Sequence, residues 1–400
     1  MDLRTATPKL QTLRALMTGH TDRHEEQQIL QLFEAATAAE LNYLLTNVDV
    51  EALFSDVDDR LVGPDNLTAL LELLCVKRAH ELGLPVRGGL MFSLQKGPTP
   101  LLAERMIRAL FLGLRGRELT EFKNLLDGRG NYRDLQQLVF SDVDDPAIRQ
   151  DILDHIQREA LTAPSGENKV LSDIDDTFIC NWKDTRYPPK TVYPGVLQFY
   201  RELDRGPGVI PGREGDLTFV SARPMDPLGF IEDKTLETLR QHGVGAAVML
   251  AGAFTHLIGN ARIAEKKFDN FTRYAQLYPE YGFVFTGDSG QGDVAFGEQM
   301  LAAHPALVRA IFIHDVVATP ESVRKAWRAQ RIFFFDTYVG AAVEAYEVGV
   351  IARDGVARVA RATQEELEKI TFTSEAQRQD RREELTRDLQ RAEALSAPRP

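Results

Sequence analysis

Cysteine and long apolar runs are scarce in this chain of 400 residues. Its two cysteines, Cys75 and Cys180, exclude a disulfide framework and indicate a reducing compartment. No apolar run reaches the roughly 20 residues that span a bilayer, and the opening MDLRTATPKL lacks the apolar segment of a signal peptide. The sequence therefore predicts a cytoplasmic protein without a transmembrane segment, whose contact with membranes, if it has any, is peripheral.

Positive charge is also in deficit. The chain has 47 lysine and arginine residues against 59 aspartate and glutamate residues, so its formal net charge is −12 at pH 7. An acidic chain of this kind repels nucleic acids, and we expect no nucleic-acid partner. The length allows about two or three domains, each large enough to bury a core.

Helical periodicity dominates the chain from about residue 22 to residue 160, with little strand signal. A Leu-Phe pair, a Glu-Leu pair and the string FSDVDD follow one another at residues 32–59 and again at 110–145. The pattern predicts an all-α domain over residues 1–162 with two degenerate helical repeats, which could bind a protein partner. Ser55 and Ser141, within the two FSDVDD strings, are expected to be helix N-caps.

Apolar runs alternate with helical segments over residues 163–360. This alternation is typical of an α/β domain with a doubly wound, mostly parallel sheet. The predicted strands are Val170–Asp173, Leu217–Val220, Ala246–Leu250, Phe283–Thr286, Ala310–Ile313 and Ile332–Phe335, and the predicted helices between them include Gly195–Leu203, Thr235–His242 and Phe268–Leu277.

The last segment, residues 361–400, is rich in charge and predicts a C-terminal helix followed by a polar tail. Helical patterns occur at 365–370 and 375–394. Thr363 with Glu366, and Ser374 with Gln377, match the capping box of a helix start. A solvated helix that packs on the α/β domain, or that pairs with a partner, explains this segment without any chemistry.

The string Ser172–Thr177 places three carboxylates in four positions directly after the first predicted strand. Like charges so close together need a compensating cation or a shared proton. Asp173 and Asp175 are two residues apart, so on an extended backbone they point to the same side, at the edge where α/β folds bind ligands. The pair predicts a site for a hard divalent cation, Mg²⁺. A solvated acidic turn is the alternative, because the FSDVDD strings show that acidic clusters occur elsewhere in this chain.

Three further elements fit a phosphate site. Ser221 follows the second predicted strand, where a hydroxyl can bind a phosphate oxygen or simply cap a helix. Lys267 is predicted at a helix start, where its charge opposes the helix dipole, so an anionic partner or an ordinary surface position explains it. Asp288 ends a buried strand and can complete the coordination of a cation, and Asp293 can orient a bound water or hold the lysine.

Taken in order, these residues resemble the four-motif signature of haloacid-dehalogenase-like (HAD-like) phosphatases. The strings SDIDDT at 172–177 and GDSGQGD at 287–293 look like the catalytic domain of the actin-patch-associated phosphatidate phosphatases, relatives of the lipins. The resemblance covers about residues 168–351 and leaves out the helical repeats. The chain departs from that branch in SARP at 221–224, where Ser-Asn-Ser-Pro is usual, and in His314, where an Arg usually precedes Asp-Val.

The resemblance implies a Mg²⁺-dependent phosphatase with a HAD-like sheet. Asp173 would be the nucleophile that forms an aspartyl-phosphate, and Asp175 the general acid and base. Ser221 and Lys267 would bind phosphate oxygens and stabilise the transition state, and Thr177 would belong to the same substrate-binding loop. The metal-site residues would be Asp173, Asp175 through its backbone carbonyl, Asp288 and Asp293. Phosphatidate at a membrane surface is the expected substrate, and a phosphoprotein or a soluble phosphate ester is the alternative.

The spacing between motifs predicts a minimal cap. Asp173 to Gly195 leaves room only for a flap, and Ser221 to Lys267 is filled by one helix, one strand and a loop. Such an uncapped site suits a bulky substrate or one that is presented at a surface. A helical-repeat interaction protein with weak phosphatase activity is an alternative from another class.

The flap, residues 182–190, combines basic and aromatic residues. Such a combination suits an anionic membrane interface, and an ordinary polar loop with a buried tryptophan is the alternative. The residues in question are Trp182, Lys183, Arg186, Tyr187 and Lys190.

Overall fold

In the first part of the chain, the described residues form helices and no strand. The protein is described from a computed structural model, which covers residues 3–19, 21–57, 65–95, 99–127, 135–208, 217–224, 248–252 and 260–396, together with positions 237, 239–241 and 244. The chain divides into two units, one that ends at Ala163 and one that begins at Pro164, with the short stretch Gln276–Tyr278 grouped with the first. Residues 361–400, predicted as a separate segment, are grouped with the second unit.

The first unit consists of helices with π-helical segments at Leu73–Lys77 and Leu138–Asp142 and a 3-10 turn at Ala79–Glu81. Its helices are α1 (Leu3–Leu16), α2 (Arg23–Ala35), α3 (Ala38–Asn47), α4 (Val50–Asp56), α5 (Asn66–Glu72), α6 (Leu84–Leu94), α7 (Leu101–Leu112), α8 (Gly116–Asp127), α9 (Leu135–Gln137) and α10 (Pro146–Thr162).

Helices of the first unit recur at the spacing of the sequence pattern. α7 begins 78 residues after α2 (101 and 23), and α8 begins 78 residues after α3 (116 and 38). Phe33 and Phe111, one on each copy, are both fully buried. On α7, the buried carboxylate of Glu104 accepts hydrogen bonds from the backbone N–H groups of Asp144 and Asp145, at 2.9 and 3.1 Å. These spacings support the predicted repeat, and Glu104 shows how the second FSDVDD string is held to α7.

The capping roles predicted for Ser55 and Ser141 are wrong. Ser55 lies inside α4, where its hydroxyl donates to the carbonyl of Glu51, and Ser141 lies in a π-helical segment. Aspartates cap these helices instead, because Asp49 and Asp145 accept hydrogen bonds from backbone N–H groups in the first turns of α4 and α10. A carboxylate satisfies such amides and complements the helix dipole.

The second unit is built on six parallel strands in the order β3-β2-β1-β4-β5-β6. They are β1 (Asn168–Ser172), β2 (Leu217–Pro224), β3 (Val248–Gly252), β4 (Gly282–Asp288), β5 (Val308–His314) and β6 (Ile332–Phe335). The remaining helices are α11 (Val196–Arg205), α12 (Asn260–Leu277), α13 (Asp293–Ala303), α14 (Glu321–Arg328), α15 (Tyr338–Glu347), α16 (Arg353–Leu367) and α17 (Glu375–Ser396).

The predicted α/β class with a doubly wound parallel sheet is confirmed. Each predicted strand coincides with an observed one to within a few residues, because the strands are continuous apolar runs covered on both faces. Every residue of β4, for example, is buried. Most of the predicted helix Thr235–His242 lies outside the described residues.

The strand order determines where a ligand can bind. β1 pairs with β2 on one side and with β4 on the other, and Ser172 is aligned with Thr286 at the carboxyl ends of β1 and β4. β2 and β3 lie on one side of β1, and β4, β5 and β6 lie on the other, so the strand order changes side between β1 and β4. Open parallel sheets bind ligands at this kind of crevice, outside the carboxyl ends of the strands.

The C-terminal helices correct one predicted cap and support the other. Thr363 lies inside α16, where its hydroxyl donates to the carbonyl of Val359, so it does not begin a helix. Ser374 caps α17, since its Oγ accepts the backbone N–H of Gln377 at 3.1 Å. The Gln377 side chain accepts from the backbone N–H of Thr373, one residue earlier than a capping box requires.

Membrane-spanning helices are absent from the part of the chain that the structure describes. No helix there is both long enough and apolar enough to cross a bilayer.

Candidate active site

Three buried carboxylates meet at the carboxyl edge of the sheet. Asp173 follows β1 and extends its ladder, because its N–H donates to the carbonyl of Thr286 at 2.9 Å. Asp288 is the last residue of β4, and Asp293 is the first residue of α13. Their ligand oxygens all lie within 4.8 Å of one another. The adjacency of β1 and β4 therefore brings together residues that are more than a hundred positions apart in the chain.

Glycine 287 makes this close approach possible. A Cβ on Gly287 would lie 2.5 Å from Oδ2 of Asp293, closer than any real contact of that kind. The same Asp293 oxygen accepts the backbone N–H of Asp288 at 3.1 Å. Gly287, the first glycine of the GDSGQGD string, is therefore required by packing against Asp293.

Lys267 joins two of the carboxylates. Its Nζ donates to Oδ1 of Asp173 and to Oδ1 of Asp293, each at 2.6 Å, and the residue is 1% exposed. The predicted position of Lys267 at a helix start is wrong, because α12 begins at Asn260 and Lys267 lies two turns further in. Lys267 reaches the carboxylates because it lies on the buried face of α12, and the helix dipole does not explain its position.

Burial and neighbouring charges have opposite effects on the pKa values of Lys267 and Asp173. Burial lowers the pKa of Lys267, but Asp173 and Asp293 outweigh that effect and raise the pKa above its usual value, so the ammonium stays charged. Burial raises the pKa of Asp173 to about 7 against the opposing charge of Lys267. Burial, followed by the charges of Asp293 and Asp173, raises the pKa of Asp288 well above its ordinary value. Three carboxylates thus share one positive charge.

Two oxygens of the group have no hydrogen-bond partner among the described residues. They are Oδ2 of Asp173 and Oδ2 of Asp288, and both are buried. A buried carboxylate oxygen without a donor is costly unless a cation binds it. The donor set consists of three carboxylates with ligand oxygens within 4.8 Å of one another, two of which keep an unpartnered oxygen, and this set fits a divalent cation.

Asp175 lies beside this group and not within it. The residue is partly exposed, and its Oδ1 accepts from the side-chain amide of Asn181 at 2.6 Å. Its backbone carbonyl lies 3.5 Å from Nε2 of Gln291. The side chain is therefore separate from the three grouped carboxylates, and any role of Asp175 in metal binding falls to its carbonyl oxygen.

Asp176 organises the flap, a role that the sequence interpretation missed. It is fully buried at a left-handed φ of 59°, which Asp adopts more readily than most residues. Its two carboxylate oxygens accept the backbone N–H groups of four successive flap residues, at 2.5–3.4 Å: Asn181, Trp182, Lys183 and Asp184. The available signal was a third acid in SDIDDT to which no chemistry had been assigned.

Two further predicted phosphate-binding residues are Thr177 and Ser221. Thr177 is fully buried, and its hydroxyl has no hydrogen-bond partner among the described residues. Its backbone carbonyl accepts from the hydroxyl of Tyr338 at 2.6 Å. The backbone of Ser221 lies in β2, and its side chain is outside the described part of the structure.

The flap turns some of its predicted surface residues inward. Arg186 binds both oxygens of Asp184 through Nε and Nη2, each at 3.0 Å, and Tyr187 is 6% exposed. Trp182, in contrast, is 69% exposed, so the alternative of a buried tryptophan is wrong. Only Trp182, Lys183 and Lys190 of the predicted set remain available to a surface.

His314 links the flap to the acidic loop. Nη2 of Arg186 lies 3.0 Å from Nε2 of His314, and Nδ1 of His314 lies 2.8 Å from the carbonyl oxygen of Asp176. Since arginine can only donate, Nε2 accepts and Nδ1–H donates to the carbonyl. Burial, followed by the charge of Arg186, lowers the pKa of His314 to about 4, which keeps the ring neutral. The histidine that stands where the family usually has an arginine thus holds the backbone carbonyl of Asp176.

Fold and site together define the class of the second unit. It is a parallel α/β domain with a lysine buried among carboxylates at the carboxyl edge of its sheet. Residues 168–315 match the family model described as the catalytic domain of phosphatidate phosphatase APP1. The family predicted from the motifs is thereby confirmed for this segment, which contains every predicted site residue, and the match supports a phosphatase. No curated protein and no solved structure matches the chain.

Proposed function

We propose that the protein is a Mg²⁺-dependent phosphatase that forms an aspartyl-phosphate on Asp173 and converts phosphatidate to diacylglycerol. The observation that carries this proposal is the buried group of Asp173, Asp288 and Asp293, which Lys267 alone among the described residues is seen to neutralise. Phosphoryl transfer through an enzyme carboxylate needs a nucleophile, positive charge around the phosphoryl group and a proton carrier. The site and its partner Asp175 supply candidates for each.

The group fits Mg²⁺, a hard ion that prefers oxygen ligands. The unpartnered Oδ2 atoms of Asp173 and Asp288 are the natural ligands, together with the carbonyl of Asp175. Asp293 would support the site from the second layer, because it accepts from Lys267 and from the backbone of Asp288. When bound, the ion would offset the negative charges of the nucleophile and the phosphoryl group.

Asp173 and Asp175 divide the chemistry between them. A carboxylate oxygen of Asp173 bonds to phosphorus while the bond from phosphorus to the leaving alkoxide breaks, and protonated Asp175 gives its proton to that alkoxide. The Asp175 carboxylate then takes a proton from the water that attacks phosphorus, which releases inorganic phosphate and restores Asp173. Lys267 fixes the Asp173 carboxylate at 2.6 Å, so that little orientation is lost on reaching the transition state.

Phosphate recognition falls to groups around the nucleophile. Lys267 supplies fixed positive charge to the phosphoryl oxygens, and Ser221 and Thr177 are proposed to donate hydroxyl hydrogen bonds. The buried Thr177 hydroxyl, which has no partner among the described residues, is consistent with a donor kept for a ligand. Phosphatidate is proposed because the matching family model bears that name and because the short spacings between motifs leave the site without a large cap.

The test is the release of inorganic phosphate from three substrates, each with Mg²⁺ and with EDTA. Phosphatidate in mixed micelles, p-nitrophenyl phosphate and a phosphopeptide represent the lipid, soluble-ester and phosphoprotein alternatives. We expect the highest kcat/KM on phosphatidate and no turnover in EDTA. A higher kcat/KM on either other substrate would replace the substrate and keep the chemistry. Turnover on none of the three would favour an interaction protein built on the helical repeats.

A further inference from the structure

Two exposed apolar side chains lie beside the candidate active site. Trp182 is on the flap that follows β1, and Val317 is on the loop that follows β5. They are 69% and 52% exposed, and within the described part of the chain Trp182 is the only aromatic residue that is mainly exposed. Both loops leave the carboxyl edge of the sheet, the edge that carries Asp173 and Asp288.

Buried carboxylates hold the backbone of both residues in place. The backbone N–H of Trp182 donates to Oδ1 of Asp176 at 3.0 Å, and that of Val317 donates to Oδ1 of Asp315 at 3.3 Å. Asp176 and Asp315 are themselves at most 1% exposed. The exposure of the two side chains is therefore not a result of loosely held loops. A fixed apolar group in water marks a surface that another phase or molecule covers more often than a scattered one does.

The two loops adjoin over Gly290, two residues after Asp288. A Cβ on Gly290 would lie 2.9 Å from Cδ of Lys183 and 3.1 Å from Cγ2 of Val316. These are the chain neighbours of Trp182 and Val317. The two loops that carry the exposed apolar groups thus both pass close to Gly290, two residues after Asp288.

Two lysines of the flap carry positive charge next to Trp182. Lys183 and Lys190 are both exposed, and each is steadied by a hydrogen bond from its Nζ, to the carbonyl of Gly290 and to Oδ1 of Asn181 respectively. An amphipathic aromatic ring with lysines at its side is suited to the boundary between anionic headgroups and acyl chains. The net charge of −12 opposes such contact, so local lysines and apolar insertion must supply the attraction.

We propose that the rim formed by Trp182, Lys183, Lys190 and Val317 inserts into the headgroup region of an anionic phospholipid membrane. The catalytic edge of the sheet then faces the lipid phosphates. This inference rests on the proposed lipid substrate for its purpose, but the contact itself needs no turnover. An acidic protein partner would use the same charges, and the experiments separate it from a membrane.

The first experiment uses the chain's own fluorescence. The protein contains two tryptophans, so Trp327→Phe leaves Trp182 as the single reporter. The variant is titrated with phosphatidylcholine vesicles that contain phosphatidylglycerol, an anionic lipid without a phosphomonoester. We expect a blue shift of the emission, quenching by brominated acyl chains, and weaker binding at higher salt. Flotation with the vesicles without any change in emission would overturn the proposal, as would the absence of flotation.

The second experiment removes the apolar groups. Trp182→Ala with Val317→Ser should weaken binding to the same vesicles at least about tenfold, a change of about 1.4 kcal/mol. Val348→Ser is the matched control, because Val348 is an exposed valine (37%) at the far end of α15. The control should bind as the unaltered protein does. Equal binding by the double variant would overturn the proposal.

Turnover separates this inference from the proposed function. The ratio of phosphatidate hydrolysis in vesicles to p-nitrophenyl phosphate hydrolysis should fall in the double variant and not in Val348→Ser. If phosphatidate is not hydrolysed at all while the double variant still loses vesicle binding, the substrate is wrong and the membrane surface stands. If phosphatidate is hydrolysed equally well by both variants in vesicles, the substrate stands and the membrane surface is wrong.

Discussion

Three carboxylates share one ammonium group in the candidate active site, and this imbalance governs its individual residues. Lys267 bridges Asp173 and Asp293, while Oδ1 of Asp288 accepts a hydrogen bond from the backbone N–H of Gly290 at 2.6 Å. A fold that buries such a group loses stability for the sake of the site, since each unneutralised carboxylate resists burial. Functional and structural aspartates can therefore be told apart by the sign of their effect on stability.

Asp173→Asn is expected to abolish turnover and to leave the fold intact. The amide keeps the shape of the side chain but cannot attack phosphorus, so kcat should fall by roughly three orders of magnitude or more. Asp142→Asn is the matched control, because Asp142 accepts hydrogen bonds from Gln95 and Gln137 in the first unit and belongs to the second FSDVDD string. Phosphate release and circular dichroism decide the result, and near-normal turnover of Asp173→Asn would rule out the nucleophile.

Asp288→Asn is expected to stabilise the metal-free protein. A carboxyl whose pKa is raised by folding favours the folded state at low pH and loses that contribution as pH rises through its folded pKa. The variant should therefore melt higher than the unaltered protein in EDTA by roughly 2–4 °C at alkaline pH, with a smaller gain near pH 5. We expect Mg²⁺ to raise the melting temperature of the unaltered protein, and the variant should lose this upward shift.

A lower melting temperature of Asp288→Asn in EDTA would mean that the carboxylate is satisfied within the protein. Thermal scans over a pH series, with EDTA and with Mg²⁺, measure both effects. Asp315→Asn is a useful comparison at the neighbouring strand end. Hydrogen bonds from Ser289 and the charge of Arg324 outweigh the burial of Asp315 and lower its pKa. Its replacement should reduce stability, and more so as pH rises above the carboxyl range.

At the scale of elements, the flap depends on a single side chain. The Asp176 carboxylate accepts hydrogen bonds from the four backbone N–H groups of residues 181–184, and the backbone carbonyl of Asp176 accepts one from His314. Backbone amides buried without a partner are costly, so a loop of this length needs such an acceptor. The helices and strands around it position the acceptor, and the acceptor positions the loop.

Asp176→Ala is expected to release the flap. The change leaves four N–H groups without their acceptor and puts alanine at a left-handed φ, so a loss of stability of about 1–3 kcal/mol should accompany it. Amides 181–184 should lose protection from hydrogen exchange, and turnover should fall because Asn181 no longer holds Asp175. Asp176→Asn keeps one acceptor oxygen and tolerates the same φ. Its stability and its amide protection should therefore lie between those of the unaltered protein and of Asp176→Ala. Unchanged protection in the alanine variant would contradict this account.

At the scale of the whole molecule, each unit contains one cysteine. Cys75 lies in the first unit and Cys180 in the second, and both are 1% exposed. Burial raises the pKa of Cys75 to about 12 and, together with the charge of Asp184, that of Cys180 to about 11. Both thiols should therefore resist labelling until their unit opens, which makes them separate reporters of stability.

Mg²⁺ is expected to slow the labelling of Cys180 and to leave that of Cys75 unchanged. A ligand present at about one hundred times its dissociation constant stabilises the state that binds it by about 2.7 kcal/mol, close to a hundredfold in the rate of labelling through opening. Mass spectrometry of the two labelled peptides measures each rate. Protection of Cys75 rather than Cys180 would place the metal in the first unit and contradict the site.

Sequence alone determined the fold class, the order of the motifs and the family. These follow from local properties, because a continuous apolar run bounded by turns predicts a buried strand wherever it packs. Ile332–Phe335, for example, was predicted with the bounds it has. The catalytic edge could be anticipated for the same reason, since Asp173 and Asp288 each directly follow or end such a run.

Tertiary structure alone decided what surrounds each of those residues. The predictions of Lys267 at a helix start and of Ser55 as a cap were wrong. Lys267 is held by Asp173, 94 residues away, as well as by Asp293, and the half-buried Arg186 contacts His314, 128 residues away. Contacts with distant segments likewise leave Trp182 exposed and bury Asp176. A side chain's environment is set by contacts between distant segments, and local pattern carries no information about which distant segment arrives.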